Sequence, residues 1–154
     1  MENEQAATAE RSAWLGVMSR AHKGELEALA NGIVSDVKFE RLRAPHVGLV
    51  MVRGRAGGTG TVFNLGEMTI ARASIRLSDG TVGHGYVQGR DKRKAEMVAI
   101  VDALLQQPDR REGILSMVIE PLRLKAEMRR LAVRQKAAAT KVEFFTVARG
   151  EEFA

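Results

Sequence analysis

The 154-residue chain has no cysteine, so it carries no disulfide framework, no thiolate nucleophile and no Cys-ligated zinc or iron–sulfur centre of its own. Its three histidines, His22, His46 and His84, are too few for a self-contained histidine-rich metal site, and no metal site is expected. Aromatic residues make up 5% of the chain, fewer than a protein that stacks single-stranded bases on aromatic platforms would carry. Apolar runs never reach the 18 residues a membrane-spanning helix needs. Glu2, Glu4 and Glu10 stand where a secretory signal requires a basic start and an apolar run, so a cytoplasmic protein is the expectation.

What is present fits one globular domain. The chain is 45% hydrophobic and 28% charged, which excludes wholesale disorder. A chain of this length hides about 68–70% of its unfolded surface on folding, enough for a core without covalent staples. A single domain over 9–150 is expected between short flexible ends, 1–8 and 151–154. Twenty-four Lys and Arg against nineteen Asp and Glu leave a net charge of +5. That excess favours anionic partners or merely keeps the protein soluble, and on charge alone a basic nucleic-acid-binding module stays open.

The hydrophobic pattern changes period twice. Residues 9–31 read as one or two helices ending near Asn31-Gly32, a pair suited to a left-handed cap. From Val34 to Gln88 the period moves towards two, with strands expected at 36–44, 47–55, 67–78 and 81–88 and Pro45 read as a boundary between the first two. Asp91 then reads as the N-cap of a helix whose apolar face is Met97, Ile100, Val101, Leu104 and Leu105, stopping before Pro108. Pro121 is expected to open a long basic helix carrying Leu124, Met128, Leu131, Ala138, Val142 and Phe145 in a stripe. The fold class expected is α+β, a small antiparallel four-stranded meander flanked by N-terminal helices and two C-terminal helices.

Asp79-Gly80 between alternating runs signals a two-residue hairpin turn. With Ser78 opposite Thr81, Leu77 faces Val82, Ile75 faces His84 and Ala73 faces Tyr86. That register puts His84 and Tyr86 on the apolar face, as core or boundary residues. The reverse face then opposes Arg72, Ser74 and Arg76 to Val87, Gly85 and Gly83. Two glycines there imply that something approaches the backbone closely. Arg72 and Arg76, about 13 Å apart by strand rise, would look onto a subunit, an anionic ligand or solvent.

The strand Val47–Arg55 has an apolar odd face, Val47, Leu49 and Met51, which ends in Arg53 and Arg55. Ala56-Gly57-Gly58-Thr59-Gly60 follows, and the connection reads as running on to Gly66. Loops this long and glycine-rich are often functional. Glycine N–H groups beside an arginine fork suit an anion, so Arg55, Gly57, Gly58, Thr59 and Gly60 are candidates for anion or partner binding, with Arg53, Arg72, Arg76, His84 and Tyr86 ranked lower. The loop has no Gly-Lys-Ser/Thr ending and opens no helix, so it is neither a P-loop nor a dinucleotide fingerprint. Arg90 and Asp91 form a second candidate at the strand–helix junction, Asp91 having the plainer role of cap. No nucleophile–base pair and no paired carboxylates stand out, so catalytic residues stay unassigned.

Several stretches, in one order along about residues 10–150, resemble the PhnG family of the bacterial carbon–phosphorus lyase system. They are Gly48-Leu49-Val50, Arg55-Ala56-Gly57-Gly58-Thr59-Gly60, Arg76-Leu77-Ser78-Asp79-Gly80-Thr81, and Gly89-Arg90-Asp91-Lys92 with Ala95-Glu96. Asp102-Ala103-Leu104, Gln106-Gln107, Arg134-Gln135 and Val142-Glu143-Phe144-Phe145-Thr146 complete the pattern. Arg53 and His84 depart from it, so no shared catalytic role carries over to either. The resemblance implies an accessory subunit that works with PhnH, PhnI and PhnL to transfer the ribose 5-triphosphate moiety of ATP to methylphosphonate, releasing adenine. It also implies a core assembly with PhnH, PhnI and PhnJ. ATP, with Mg, would be a substrate of the complex, and the iron–sulfur cluster and S-adenosylmethionine would belong to PhnJ. No cofactor is expected on this chain alone, and no membrane or nucleic-acid partner. A purely structural scaffold subunit is the alternative within the same family.

Overall fold

Alternation of apolar and polar residues builds a sheet whose inner face is closed by one central helix. The computed structural model describes residues 2–139, with side chains from residue 5 onwards. Two helices, α1 (Glu2–Arg20) and α2 (Lys23–Val34), precede the strands β1 (Phe39–Arg55), β2 (Val62–Leu77) and β3 (Val82–Gln88). Three helices follow: α3 (Lys92–Leu105), α4 (Pro108–Ile114) and α5 (Glu120–Ala139). The first helical stretch divides at Ala21-His22, and α2 runs through Asn31-Gly32 to Val34 instead of being capped there.

The sheet has three antiparallel strands in the order β1-β2-β3, which corrects the expected four. The segments 36–44 and 47–55 are one strand. Pro45, read as a boundary, lies within β1, which is an edge strand where a missing N–H need not break a ladder. Register shifts between Arg41 and Arg43 and between Arg43 and His46 absorb the surplus residues.

The β2–β3 turn corrects a second expectation. Leu77 N–H donates to the Thr81 carbonyl at 2.9 Å and Gly80 N–H donates to the Leu77 carbonyl at 3.0 Å. The loop is therefore Ser78-Asp79-Gly80, three residues, with Gly80 at φ 89°, the geometry of a turn followed by a glycine bulge. Ile75 pairs with Gly83, Ser74 with His84, Ala73 with Gly85 and Arg72 with Tyr86. A slip of one residue exchanges the faces of a strand. Gly83, Gly85 and Val87 thus turn inward beside Ala71, Ala73, Ile75 and Leu77, and His84 and Tyr86 turn outward to solvent.

The two inward glycines admit α3. A Cβ on Gly85 would lie 1.8 Å from the Ala95 carbonyl oxygen, and one on Gly83 would lie 1.9 Å from that of Ala99. Ala95, Ala99 and Ala103 recur every fourth residue, so the smallest face of α3 sits directly on β3. Asp91 caps this helix as expected, its side chain accepting from Lys94 N–H at 2.9 Å. Every residue from Met97 to Leu105 is buried, and α1, α2 and α4 pack around it.

Pro121 does not open a helix. A π-helical turn over Leu115–Ile119 joins α4 to α5, and Pro121 is the second residue of α5. The widened turn lets Glu120 N–H donate to the Leu115 carbonyl, and wide turns of this kind accommodate the N–H that proline lacks.

Candidate functional site

β3 pairs with β2 only over residues 70–76, so the rest of β1 and β2 continues as a two-stranded arm, with residues 48–55 paired to residues 62–70. Val47, Leu49 and Met51 continue the inner face of the sheet past the end of α3, and they are exposed, Leu49 by 60%. Val62, Phe63 and Leu65 add further exposed apolar surface near the tip. Gly54 leaves room for the Phe63 ring, which lies 3.8 Å from where a Cβ would stand. A second uncovered apolar surface runs along α5. Leu124, Met128 and Leu131 are more than half exposed, as is Met117 one turn before that helix. The stripe read from their spacing exists, but it faces outward. Its last expected members, Val142 and Phe145, fall outside the described residues.

The glycine-rich segment is the tip of the arm, shorter than expected. β2 begins at Val62, which pairs with Arg55, so the loop is residues 56–61 rather than a connection reaching Gly66. Gly57 and Gly58 adopt φ of 59° and 81°, which reverses the chain. Gly60 N–H is engaged by the Ala56 carbonyl at 3.0 Å, and Arg55 Nη1 donates to the Gly60 carbonyl at 3.3 Å. Arg55 therefore closes its own loop. Arg53 and Thr59 are exposed on the arm.

Arg90 and Asp91 lie at the base of the arm, where β3 ends, next to Gly89, whose N–H donates to the Thr69 carbonyl. Thr69 pairs with Leu49, six residues from Arg55, so about 20 Å separates the two glycine-rich candidates. Asp91 is held below the ordinary carboxylate range. Partial burial opposes its ionisation, and the Lys94 N–H and the Lys23 ammonium, 3.2 Å away, outweigh that. It is a cap joined to α2, and Arg90 is exposed beside it.

The outward face of the sheet assembles candidates that the expected register had split between two faces. Arg72, Arg76, His84 and Tyr86 share it with Ser74, Arg43 and His46. His84 Nδ1 lies 2.9 Å from Ser74 Oγ, Arg72 Nε donates to His46 Nε2 at 2.6 Å, and Arg76 stands 3.7 Å from Glu40.

Two polar residues that sequence reasoning missed are structural anchors. Asp102, fully buried, accepts from Arg11 Nε at 3.1 Å and Trp14 Nε1 at 2.9 Å on one oxygen. Its other oxygen accepts from Arg11 Nη2 at 2.6 Å and from the backbone N–H of His84 at 2.9 Å. Arg11 and Gln106 also donate to the Val82 carbonyl, so α1 and α3 together occupy the free edge of β3. The signal was a lone charge within the apolar run Met97–Leu105. Lys94 donates through Nζ to the Ser19 and Ala21 carbonyls at 2.8 and 2.6 Å, satisfying the end of α1. Burial lowers its pKa against the opposing pull of Asp91.

Residues 9–150 match the family described as phosphonate metabolism protein PhnG. The chain belongs to that family. It is 43% identical over 151 residues to the alpha-D-ribose 1-methylphosphonate 5-triphosphate synthase subunit PhnG of Rhizobium meliloti (strain 1021), covering 97% of this chain and 96% of the relative. Against this PhnG background the chemistry on the chain is sparse. Among the described residues no cluster of three or more His, Asp or Glu is arranged to hold a metal ion, and no helix is long and apolar enough to cross a membrane. What the chain offers is uncovered apolar surface on the arm and on α5, together with cationic side chains on the open sheet.

Proposed function

We propose that this chain is the PhnG subunit of an α-D-ribose 1-methylphosphonate 5-triphosphate synthase, a non-autonomous transferase subunit in organic phosphonate catabolism. The near full-length likeness to a relative of that name supports the reading. The observation that carries it is the arm. Val47, Leu49 and Met51 prolong the apolar face that α3 covers elsewhere, and none of the described residues covers them. Uncovered apolar surface of this kind marks a protein–protein interface. PhnH, PhnI and PhnJ as core partners, and PhnL as the further component for adenine displacement, are part of this reading. ATP, with Mg, enters as substrate of the assembly, and radical cleavage with an iron–sulfur cluster and S-adenosylmethionine belongs to PhnJ. The cytoplasm, where ATP is available, is the compartment it implies.

Within that role the arm favours a building function over ligand contact at its tip, because the Arg55 guanidinium is turned back onto Gly60. Co-purification with the other subunits, followed by adenine release from ATP and methylphosphonate for each combination, tests the assignment. Adenine release is expected only with the partners present, and robust turnover by this chain alone would refute the accessory role. Leu49→Glu with Met51→Glu should abolish co-purification and leave the fold within about 0.5 kcal/mol of the parent, as exposed substitutions do. Arg55→Ala should preserve both assembly and flux. Lost flux with an intact assembly would instead place a ligand at the tip.

A further inference from the structure

Among the described residues, seven arginines are matched to carboxylates. Arg11, Arg41, Arg76, Arg93, Arg111, Arg123 and Arg129 each lie within 4 Å of one. Arg72 is different. It is half-buried at the centre of the sheet's outward face, and its Nε donates to a histidine nitrogen, not to an anion. His46 Nδ1 lies 3.2 Å from the Ala44 carbonyl. That contact puts the proton on Nδ1 and leaves Nε2 as the acceptor for Arg72, an assignment drawn from the hydrogen-bond network. A neutral imidazole thus fixes the guanidinium without neutralising it. Gly48, opposite Ile70, keeps the neighbouring surface low: a Cβ there would stand 3.8 Å from Arg72 Nη2.

Around this fixed cation the face is built in two rows. One row is His46, Arg72 and Tyr86, and the next is Arg43, Ser74 and His84. With strands about 4.8 Å apart and same-face neighbours about 7 Å apart, the two rows cover about 10 Å by 7 Å. Ser74 Oγ holds His84 through Nδ1, which leaves Nε2 directed away from that contact. Glu40, the carboxylate paired across this face, is engaged by Arg76 one row beyond. Fixed, uncompensated guanidinium donors are suited to oxyanions with several oxygens. A charge spread over two rows suits linked oxyanions better than a single ion.

We propose that the outward face of the sheet, centred on Arg72 held by His46 and bordered by Arg43, His84 and Tyr86, is a binding site for a polyphosphate-bearing small molecule. The site uses this chain's own side chains and does not depend on the subunit assignment.

The test is nuclear magnetic resonance of the full-length chain, observing the arginine Nε–H and histidine ring signals at constant ionic strength. Inorganic tripolyphosphate, orthophosphate and a hexaglutamate peptide are the probes. Tripolyphosphate is expected to shift the Arg72 Nε–H and His84 signals saturably, at least tenfold more tightly than orthophosphate. Arg72→Lys, which keeps the charge and loses the fork, should weaken it several-fold, and Arg72→Gln at least tenfold. Arg134→Gln, in the separate arginine-lined groove between α1 and α5, should change it less than twofold. Absence of a saturable shift at Arg72 up to about 10 mM tripolyphosphate, far weaker than useful recognition, would overturn the proposal. So would equal weakening by Arg134→Gln, which would reduce the effect to net charge. Tighter binding of hexaglutamate at the same signals would assign the face to an acidic protein surface and overturn it as well.

Discussion

Replacing Asp102 by asparagine changes one atom, and the geometry around it makes that change expensive. Each carboxylate oxygen receives two N–H donors: Arg11 Nε and Trp14 Nε1 on one, Arg11 Nη2 and the His84 amide on the other. An asparagine turned either way presents an NH2 group to two donors, so two hydrogen bonds vanish and two N–H groups face another donor. Bonds to a charged group contribute about 1.5–3 kcal/mol each. Arg11, with 31% of its side chain exposed, recovers part of its hydration. The net loss expected is about 3–5 kcal/mol, a large share of the 5–15 kcal/mol typical of a domain. Urea denaturation read by the fluorescence of Trp14, the single tryptophan, measures it directly. A loss below about 1 kcal/mol would refute the joint-acceptor reasoning. The double variant Arg11→Met with Asp102→Leu sharpens the test. For an isolated ion pair such an exchange is often neutral. Here the Trp14 and His84 N–H groups are left unpaired, and the double variant should stay about 2–5 kcal/mol less stable than the parent.

Gly85→Ala should destabilise by about 3 kcal/mol or more, because the new methyl meets the backbone of α3 and not a side chain that can swing aside. Thermal unfolding by circular dichroism checks it, and a change under about 1 kcal/mol would mean that α3 does not sit on the strand as described. Acid should loosen the contact between α2 and α5. Desolvation opposes ionisation of Glu25, but Arg129 Nη1, which donates to both its oxygens at 2.7 and 2.9 Å, leaves its pKa below the ordinary 4.5. Stability from that pair is complete above pH 4.5 and fades as pH falls through the lowered native value. Arg129→Gln should therefore lower stability near neutrality and converge with the parent in acid. A difference that widens as pH falls would contradict the sign.

Much of this was legible along the chain. Asp91 as a cap, the apolar spacing through Leu105 and the strand pattern after Val34 are local properties, set by side-chain period and turn chemistry. Asp79-Gly80 announced a hairpin but not its loop length, and one residue of difference moved His84 and Tyr86 from the expected inner face to the outer one. The alternation could not decide, since glycines at 83 and 85 are silent about burial until the helix that needs their missing Cβ atoms is in place. Pro45 misled for a related reason: whether a proline interrupts a strand depends on whether a neighbour requires its N–H, and β1 is an edge.

By itself the sequence determined which residues alternate along each element, where α3 begins and which family the chain belongs to. Only the tertiary structure decided which faces are covered. Period is a property of neighbours along the chain, and burial is a property of neighbours in space. The same apolar alternation therefore lies under α3 at Ile75 and open at Leu49, and the same arginine chemistry is neutralised at Arg11 by Asp102 and left charged at Arg72 by His46.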